Sequence, residues 1–326
     1  MTSIDNQFEA MNRLGSQKKP FLFAVDYELS ELILIKEPLS QQEVLFDVRG
    51  VSNDAVVSTT DKGVARFRFS SSPITFEEYK KRFRIIRDAL VRGDSFLANL
   101  TVSTPVQVDL SLPEVYLRAK ALYKLCVPGR FVCFSPERFV CLKDGYISCN
   151  PMKGTIDASI PDAEAIILSD YKESAEHYTI VDLIRNDLSM VSKNVQVKRF
   201  RYIDRLKTNK GELLQVSSEI EGVLPDDWQA QIGSIIHKLL PAGSICGAPK
   251  EATVKAIAGA ENEKRGFYTG VFGYFDGQSL DTGVMIRYIE QRPDGRMFYR
   301  SGGGITINSI AREEYDEVCE KVYLPF

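Results

Sequence analysis

Short apolar runs that are typical of β-strands occur at both ends of the chain. The first are PFLFAVDY, ELILI, EVLFDV and ARFRFS, and Asn, Asp, Gly and Ser separate them. FLANLTVSTPVQV, RFVCFSP, ERFVCLKD and YISCNP follow, and FYTGVFGYFD, DTGVMIRYI and RMFYRSGGGITI come near the end. Most of these runs have the length of a single strand, so the pattern predicts many short strands.

Apolar positions three and four residues apart predict the helices. Thr75 is the expected N-cap of the first helix, Glu78 is expected to complete a capping box with it, and the helix ends at Gly93. Its apolar face consists of Tyr79, Phe83, Ile86 and Leu90. Further helices are predicted over residues 112–124, 173–191 and 226–240, from Pro249 onward, and over residues 311–322.

Strands at both ends, with helices between and after them, predict an α+β fold with mostly antiparallel sheets. No repeat, low-complexity tract or linker divides the sequence. We therefore expect a single domain over residues 1–326, in which residues 1–74 form a short β-rich part of the same fold.

Composition narrows the possible partners. The chain has 326 residues, 44% of them hydrophobic and 26% charged, and a formal net charge of −3. This balance gives no field that would attract a nucleic acid or an anionic membrane, so an anionic substrate must be bound by local cations. The start MTSIDNQFEAMNRLG lacks the pattern of a signal peptide, and the six cysteines include no Cys-x-x-Cys pair. We expect a cytoplasmic protein without a nucleic-acid or membrane partner.

Three carboxylates on predicted helices are candidates for metal binding. Glu176 shares a face with Ile180 and Ile184, and a carboxylate on an apolar face needs a partner. That partner is either a buried arginine such as Arg185 or a metal ion. Glu314 and Glu317 lie off the apolar stripe of the last helix, which predicts a solvated face. If that face overhangs a cleft, their oxygens suit Mg²⁺.

Cationic and glycine-rich positions are the remaining candidates. Lys153 stands between Pro151 and Gly154, so it is either a surface lysine or one directed into a cleft as a nucleophile, base or anion clamp. Arg287 lies in an apolar predicted strand and needs a carboxylate from the protein or from a ligand. The triplet 302–304 is either a simple turn or a set of backbone N–H donors for an anion.

Several longer segments, in order along the chain, carry a family resemblance. They are SPERF, PMKGT, EHYTIVDLIRNDL, LLPAGSICGAPKEATVKAI, RGFYTGVFGYFDG, DTGVMIR and SGGGITINSIAREEYDEVCEK. Over residues 75–324 the chain resembles the chorismate-utilising enzymes, which include the anthranilate, aminodeoxychorismate, isochorismate and salicylate synthases. The resemblance implies two large antiparallel sheets packed together with helices outside, chorismate as the substrate and Mg²⁺ as the cofactor.

Roles for individual residues follow from this resemblance, position by position. Glu176 and Glu317 match the metal-binding glutamates, with Glu314 beside them. Glu137 matches the general acid or base beside the substrate ring. Residues implied to bind the substrate are Tyr268 and Arg287 at its side-chain carboxylate, Gly302, Gly303 and Gly304 through their backbone, and Gly154 and Thr155 along the ring.

Two positions bear on the reaction. The family members that add water to chorismate carry a lysine where this chain has Leu97, so water addition is not expected. Lys153 resembles the lysine of the aminodeoxychorismate-forming branch, where anthranilate-forming enzymes usually carry alanine. This similarity implies a covalent Lys153 intermediate on the route to 4-amino-4-deoxychorismate, for 4-aminobenzoate and folate biosynthesis. Burial and the metal charge are expected to lower the pKa of Lys153.

The chain departs from the family pattern at two positions, and the resemblance also implies partner proteins. Leu97 replaces a glutamine that is usual in the aminating branches, and Gln215 stands where most relatives carry a histidine. No glutaminase nucleophile motif is present, so the resemblance implies a separate glutamine amidotransferase subunit or free ammonia, and an aminodeoxychorismate lyase acting downstream. Anthranilate synthase component I, isochorismate or salicylate synthase, and an inactive chorismate-binding subunit remain alternatives.

Overall fold

The computed structural model describes residues 3–54, 67–208 and 211–326. Helices in these ranges are α1 (Ser3–Ser16), α2 (Phe76–Val91), α3 (Leu112–Arg118), α4 (Ala163–Ser169), α5 (Tyr171–Ser189), α6 (Ile232–Leu239), α7 (Gly243–Cys246), α8 (Lys250–Glu261) and α9 (Ala311–Glu320). Short 3-10 helices cover Pro38–Ser40 and Trp228–Gln231.

The strands of the described ranges form two sheets. They are β1 (Phe21–Val25), β2 (Leu32–Lys36), β3 (Leu45–Val48), β4 (Val51–Ser52), β5 (Phe69–Ser71), β6 (Leu97–Val108), β7 (Tyr123–Val127), β8 (Phe131–Ser135), β9 (Arg138–Lys143), β10 (Tyr146–Cys149), β11 (Met152–Asp157), β12 (Lys193–Thr208), β13 (Gly211–Val223), β14 (Gly247–Ala248), β15 (Val271–Phe275), β16 (Leu280–Val284), β17 (Tyr288–Gln291) and β18 (Met297–Ile305).

Every strand pair in both sheets is antiparallel. Sheet A has the order β11-β13-β10-β9-β16-β15-β1-β2, and β12 pairs with β13. Sheet B has the order β14-β6-β18-β17-β8-β7-β3-β4, and β5 pairs with β6. The expected α+β fold with two large antiparallel sheets is confirmed.

The two sheets pack face to face, with helices on their outer faces, and successive side chains of a strand point alternately to these two sides. In β1, Leu22 and Ala24 join a core between the sheets that also contains Phe46 and Phe131 of sheet B. Phe21, Phe23 and Val25 point to the other face of sheet A, where α1, α5 and α6 cover them. On sheet B, α2, α8 and α9 pack over β6 and β18.

The helix with the strongest sequence signals forms as expected. Thr75 caps α2, since its Oγ1 accepts a hydrogen bond from the Glu78 N–H at 3.3 Å. The reciprocal half of the expected capping box is replaced by an ion pair, in which Glu78 lies 3.2 Å from Arg82. Gly93 follows the helix end with a φ of +80°, a left-handed conformation that favours glycine.

Other elements differ from the expectations. Residues 3–16, assigned to a β-rich N-terminal part, form α1, with Phe8, Met11 and Leu14 buried. The helix expected over residues 112–124 ends at Arg118, because β7 begins at Tyr123 and pairs with β3 and β8. The ARFRFS run begins outside the described residues, and only its last part enters β5.

The helices of the described ranges include none that is both long enough and apolar enough to cross a membrane.

Candidate active site

A cavity of about 370 Å³ lies between elements of the two sheets. Strands β9 and β11 and helix α5 line it from the side of sheet A, and β6, β18 and α9 line it from the side of sheet B. Its lining includes these candidates: Glu137, Lys153, Gly154, Glu176, Tyr268, Arg287, Gly302, Gly303, Gly304, Glu314 and Glu317. Thr155, expected along the substrate ring, is not among the lining residues and pairs with Gln215 in the sheet.

A bulge in β11 brings Lys153 to the cavity. The register with β13 shifts between Lys153 and Thr155, and Gly154 adopts a φ of +76°. A Cβ at Gly154 would lie 3.3 Å from a Glu173 carboxylate oxygen, so the backbone also approaches α5 closely. The Lys153 Nζ donates a hydrogen bond to Glu176 Oε2 at 3.1 Å. Lys153 is therefore directed into the cleft.

The charge state of Lys153 differs from the expectation. Burial has the largest single effect and lowers the pKa of the amine, but the carboxylates of Glu176, Glu173 and Glu137 together outweigh it, with Glu176 first among them. The resulting pKa lies above the ordinary lysine value. Lys153 is thus an ammonium group in this arrangement, paired with a glutamate.

Glu176 has a different partner from the arginine considered from the sequence. Arg185 pairs with Asp182 at 3.1 Å, whereas Glu176 pairs with Lys153. Glu173 lies one helical turn before Glu176 and lines the same cavity. Glu173 could have been predicted from the sequence, because residues three positions apart on a helix, such as Glu173 and Glu176, share one face.

Glu137 is held by a serine from another element. It follows β8, and its N–H donates to the Ser135 hydroxyl at 3.1 Å. The Ser244 hydroxyl donates to Glu137 Oε1 at 3.0 Å. Burial raises the pKa of the Glu137 carboxyl, and the Ser244 hydrogen bond and the cations Lys153, Arg287 and Lys321 offset this only in part. The carboxyl therefore keeps its proton to higher pH than an ordinary glutamate.

Arg287 lies in a break between strands. The expected continuous strand stops at Val284 and resumes at Tyr288, and Arg287 has a φ of +52° between them. This left-handed conformation is uncommon for a non-glycine residue and is found at sites where a side chain is held for function. Its Nε donates a hydrogen bond to the Tyr323 hydroxyl at 3.4 Å, and no carboxylate of the described residues forms an ion pair with it. A guanidinium partly buried in this way provides a site for an anion.

Tyr268 supplies a neutral hydroxyl beside Arg287. It is buried, and burial raises the pKa of its phenol to about 12, although Arg265 and Arg287 oppose that effect. The side chain therefore keeps its proton at neutral pH and can donate a hydrogen bond to a bound anion.

The glycine triplet is a strand segment and not a turn. Gly302–Gly304 belong to β18 and pair with β6. A Cβ at Gly303 would meet Glu314, Lys321 and Glu317 at 3.5, 3.8 and 3.9 Å, so this glycine leaves space next to the polar face of α9. Lys321 donates to the Gly302 carbonyl at 2.9 Å and pairs with Glu317 at 2.5 Å.

Glu314 is 4% exposed, although the sequence pattern predicted a solvated face for it. This part of the face overhangs the cavity and buries Glu314, whereas the side chain of Glu317 is 54% exposed, as the pattern predicted. Lys321 was not found from the sequence, yet it lies four residues after Glu317 and shares its helix face.

The donor chemistry of the cavity suits a hard cation. Glu173, Glu176, Glu314 and Glu317 all line it, and carboxylate oxygens are the ligands that Mg²⁺ prefers. In the arrangement of the described residues, no three acidic, histidine or cysteine side chains lie close enough together to hold a metal ion. Lys153 and Lys321 occupy oxygens of Glu176 and Glu317. A cation would compete with these two ammonium groups.

Leu97 and Gln215, the two departures noted from the sequence, also line the cavity. Leu97 belongs to an apolar core cluster, and its Cδ1 lies 3.2 Å from the position that a Cβ at Gly304 would take. The cavity wall is therefore apolar at this position, and the Leu97 side chain itself cannot act as a base on water.

This chain is similar in sequence to known proteins along nearly its whole length. The chain fits the family model described as chorismate binding enzyme over residues 16–325. An uncharacterized PabA-like protein of Haemophilus influenzae is 49% identical over 325 residues, which cover 99% of this chain and 98% of that protein. Aminodeoxychorismate synthase component 1 of Bacillus subtilis is 31% identical over 268 residues, which cover 78% of this chain and 56% of that enzyme.

A solved structure shares the fold. Anthranilate synthase component I of Streptococcus pneumoniae aligns with a TM-score of 0.65 and 27% identity, covering 79% of this chain and 59% of that one. The family match includes both sheets and every cavity-lining residue described above.

Proposed function

This chain belongs to the chorismate-binding enzyme family, and on that premise we propose that it is an aminodeoxychorismate synthase component I. It converts chorismate and ammonia into 4-amino-4-deoxychorismate. The observation that carries the proposal is Lys153, a lysine directed into the cavity where Glu137 also lies. The 31% identity with aminodeoxychorismate synthase component 1 of Bacillus subtilis supports it.

The proposed reaction consists of two displacements. Lys153, as a neutral amine, attacks C2 of chorismate, the two ring double bonds shift, and the C4 hydroxyl leaves as water with a proton from Glu137. The new secondary ammonium then returns a proton to the Glu137 carboxylate. Ammonia attacks C4, the double bonds shift back, and Lys153 leaves C2 and regains a proton as the ammonia adduct loses one.

Each reaction step needs a particular protonation state or contact from the residues of the cavity. Lys153 has to separate from Glu176 before it attacks, because the ion pair keeps it protonated. Glu137 has to carry a proton at neutral pH, and its raised pKa favours that form. Arg287, Tyr268 and the backbone of Gly302–Gly304 bind the substrate carboxylates, and the apolar Leu97 keeps water from being activated near C2.

Mg²⁺ is the proposed cofactor. Glu176 and Glu317 would hold it, with Glu314 nearby, and it would act as a Lewis acid on the departing hydroxyl.

Ammonia comes from a glutamine amidotransferase subunit or from free ammonium in this proposal, and an aminodeoxychorismate lyase uses the product. The relative in Bacillus subtilis is named as a component 1, which supports a second component for this chain as well.

Product analysis tests the proposal. The protein is incubated with chorismate, Mg²⁺ and ammonium, and an aminodeoxychorismate lyase is then added. We expect 4-aminobenzoate. Anthranilate without 4-aminobenzoate would establish the anthranilate synthase alternative, isochorismate or salicylate would establish water addition, and unchanged chorismate would indicate a non-catalytic binding subunit.

A further inference from the structure

A short turn on one side of the cavity carries the only side chain in the described ranges that donates a hydrogen bond to the carboxyl of Glu137. The turn is α7, and the donor is the hydroxyl of Ser244, 3.0 Å from Oε1. Ser244 and Glu137 lie 107 positions apart in the sequence, so the contact depends on how the turn is held.

An ion pair with a buried carboxylate holds the turn from one side. Asp187 on α5 is 6% exposed, and its Oδ1 lies 3.0 Å from the Lys250 ammonium. The N–H of Gly243 donates a hydrogen bond to the Asp187 carboxylate. A Cβ at Gly243 would lie 2.7 Å from Asp187 Oδ2, so a glycine is required for this approach. Lys250 also donates to the Leu239 carbonyl at 2.9 Å, which ties the pair to the end of α6.

A buried cation holds the turn from the other side. The guanidinium of Arg265 donates to the Ile245 carbonyl at 3.1 Å, and Glu261 pairs with the same guanidinium. Arg265 is 1% exposed. The turn that carries Ser244 is therefore fixed at Gly243 and at Ile245, the residues on both sides of the serine.

We propose that Ser244 is the positioning residue for the general acid Glu137, and that the Asp187–Lys250 pair acts on the reaction through Ser244. This inference rests on the acid role of Glu137 in the proposed function. Because the Ser244 hydroxyl donates to Oε1, the acidic proton belongs on Oε2, and in the proposed reaction Oε2 delivers it to the leaving hydroxyl. An unheld carboxyl would rotate and present its proton in the productive direction for only part of the time.

The hydrogen bond also has a defined effect on titration. A donor to Oε1 stabilises the carboxylate, so its removal raises the pKa of Glu137 further. The other titratable groups that face Glu137 are the cations Lys153 from β11, Arg287, and Lys321 near the end of α9, and the thiol of Cys149 in β10, whose pKa burial raises to about 12. Ser244 forms a side-chain hydrogen bond with none of them. The alkaline limb of the activity profile should therefore move to higher pH.

The experiment compares Ser244→Ala, Ser244→Cys and Ser244→Thr in the full-length protein, with chorismate consumption as the readout. Alanine removes the donor, cysteine keeps the size with a weak donor, and threonine keeps the hydroxyl. Ser234→Ala is the matched control, since Ser234 also forms a side-chain hydrogen bond, to Asn12 at 2.9 Å, but lies outside the cavity.

For alanine and cysteine we expect kcat to fall about ten- to a hundredfold while KM changes less than about twofold. The alkaline limb of the pH profile should move upward in both. Threonine should restore most of kcat, and Ser234→Ala should match the wild type. Wild-type kcat and an unmoved limb in Ser244→Cys would overturn the proposal, as would a threonine variant that is as impaired as the alanine variant.

Asp187→Asn tests the second half of the proposal. Its effect on kcat should be present in the wild-type background and absent in the Ser244→Ala background, because both changes disturb the same contact. Additive effects would show that Asp187 acts by another route. All these variants are compared by chorismate consumption, which does not depend on the identity of the product. A product other than 4-amino-4-deoxychorismate would therefore refute the proposed function, whereas the role of Ser244 is decided by the kcat values and pH profiles of its variants.

Discussion

Lys153 and Glu176 form the central ion pair of the cavity, and the pair restricts what the lysine can do. An ammonium group cannot act as a nucleophile, so the proposed reaction depends on the separation of the two side chains. The pKa of Lys153 was expected to fall through burial, and it lies above the ordinary value because Glu176 is close. A change at Lys153 therefore tests the covalent step directly.

Lys153→Ala should lower ammonia-dependent chorismate consumption by roughly a thousandfold or more, since the nucleophile is lost. Lys255→Ala is a suitable control, because Lys255 is an exposed lysine that also pairs with a glutamate. Intact-mass analysis during turnover should detect an adduct on the wild type and on the Lys255 variant only. Full activity in Lys153→Ala would show that another group performs the first displacement.

His177 governs a pH dependence of stability. It is buried, its Nε2 lies 2.7 Å from the Ser218 hydroxyl, and its Nδ1 has no hydrogen-bond partner among the described residues. Burial lowers its pKa to about 4, and the charges of Arg201 and Lys153 act in the same direction. In the unfolded chain the value is about 6.5.

Between these two values the unfolded state binds a proton that the folded state does not bind. The free energy of unfolding should therefore decrease as the pH falls from about 6.5 to about 4. In His177→Gln the decrease over this window should be shallower, because the titrating group is gone. Urea unfolding at a series of pH values measures both slopes, and equal slopes would contradict this account of His177.

At the scale of elements, the contacts of α1 with α6 and with the 3-10 helix Trp228–Gln231 before it depend on glycines. A Cβ at Gly233 would lie 2.0 Å from the Phe8 carbonyl oxygen, and one at Gly15 would lie 2.0 Å from the Gln229 carbonyl oxygen. The two backbones thus approach more closely than any other residue would allow. This packing explains how a short helix with few apolar residues forms at all.

Gly233→Ala should lower the free energy of unfolding by about 1–3 kcal/mol, because the helices have to move apart. Gly259→Ala provides the matched change in α8, where nothing lies within 4 Å of the added methyl group. There the better helix propensity of alanine should stabilise the protein by up to about 1 kcal/mol. Chemical denaturation of both variants measures the contrast, and similar effects at the two sites would refute it.

Neighbouring glycines of β18 should respond differently to the same change. A Cβ at Gly302 would lie 2.7 Å from the Leu100 carbonyl oxygen, so Gly302→Ala should destabilise the sheet. At Gly303 the methyl group would enter the cavity between Glu314 and Glu317 without a clash below 3.5 Å. Gly303→Ala should keep the thermal midpoint of unfolding and raise KM for chorismate. A lowered midpoint with an unchanged KM would show that Gly303 is needed for packing and not for substrate binding.

Local signals predicted some elements and missed others for identifiable reasons. Helix α2 carried its cap at Thr75 and a clear apolar face, and it forms within one or two residues of the expected bounds. Residues 119–124 carry no comparable stop signal, and the end of α3 is set by the pairing of β7 with distant strands. Helix α1 is held by its contact with α6, which no local pattern contains.

At the scale of the whole molecule, the two sheets bring together residues that are distant in sequence. The candidates at the cavity could be listed from the sequence, but their pairings could not. Lys153 with Glu176 and Ser244 with Glu137 join separate elements across 23 and 107 positions. Helix spacing could have added Glu173 and Lys321, since each lies one turn from a predicted residue, whereas Ser244 had no signal of this kind.

The proposed Mg²⁺ ligands lie on opposite sides of the molecule's central cavity. Glu176 is on α5, which packs on sheet A, and Glu317 is on α9, which packs on sheet B. An ion bound by both would connect the two layers and would bind only the folded chain. Binding to the folded state alone raises its stability, so saturating Mg²⁺ should raise the thermal midpoint of the wild type by roughly a few degrees.

Glu176→Gln and Glu317→Gln should each abolish most of this rise, because each removes a charged ligand from one layer. Glu251→Gln is the control, since Glu251 is 86% exposed on α8 and lies outside the cavity. Scanning calorimetry with and without Mg²⁺ measures the effect without any catalysis. A rise of the same size in all four proteins would place the ion elsewhere, and loss of the rise in the Glu176 variant alone would confine the site to the layer of sheet A.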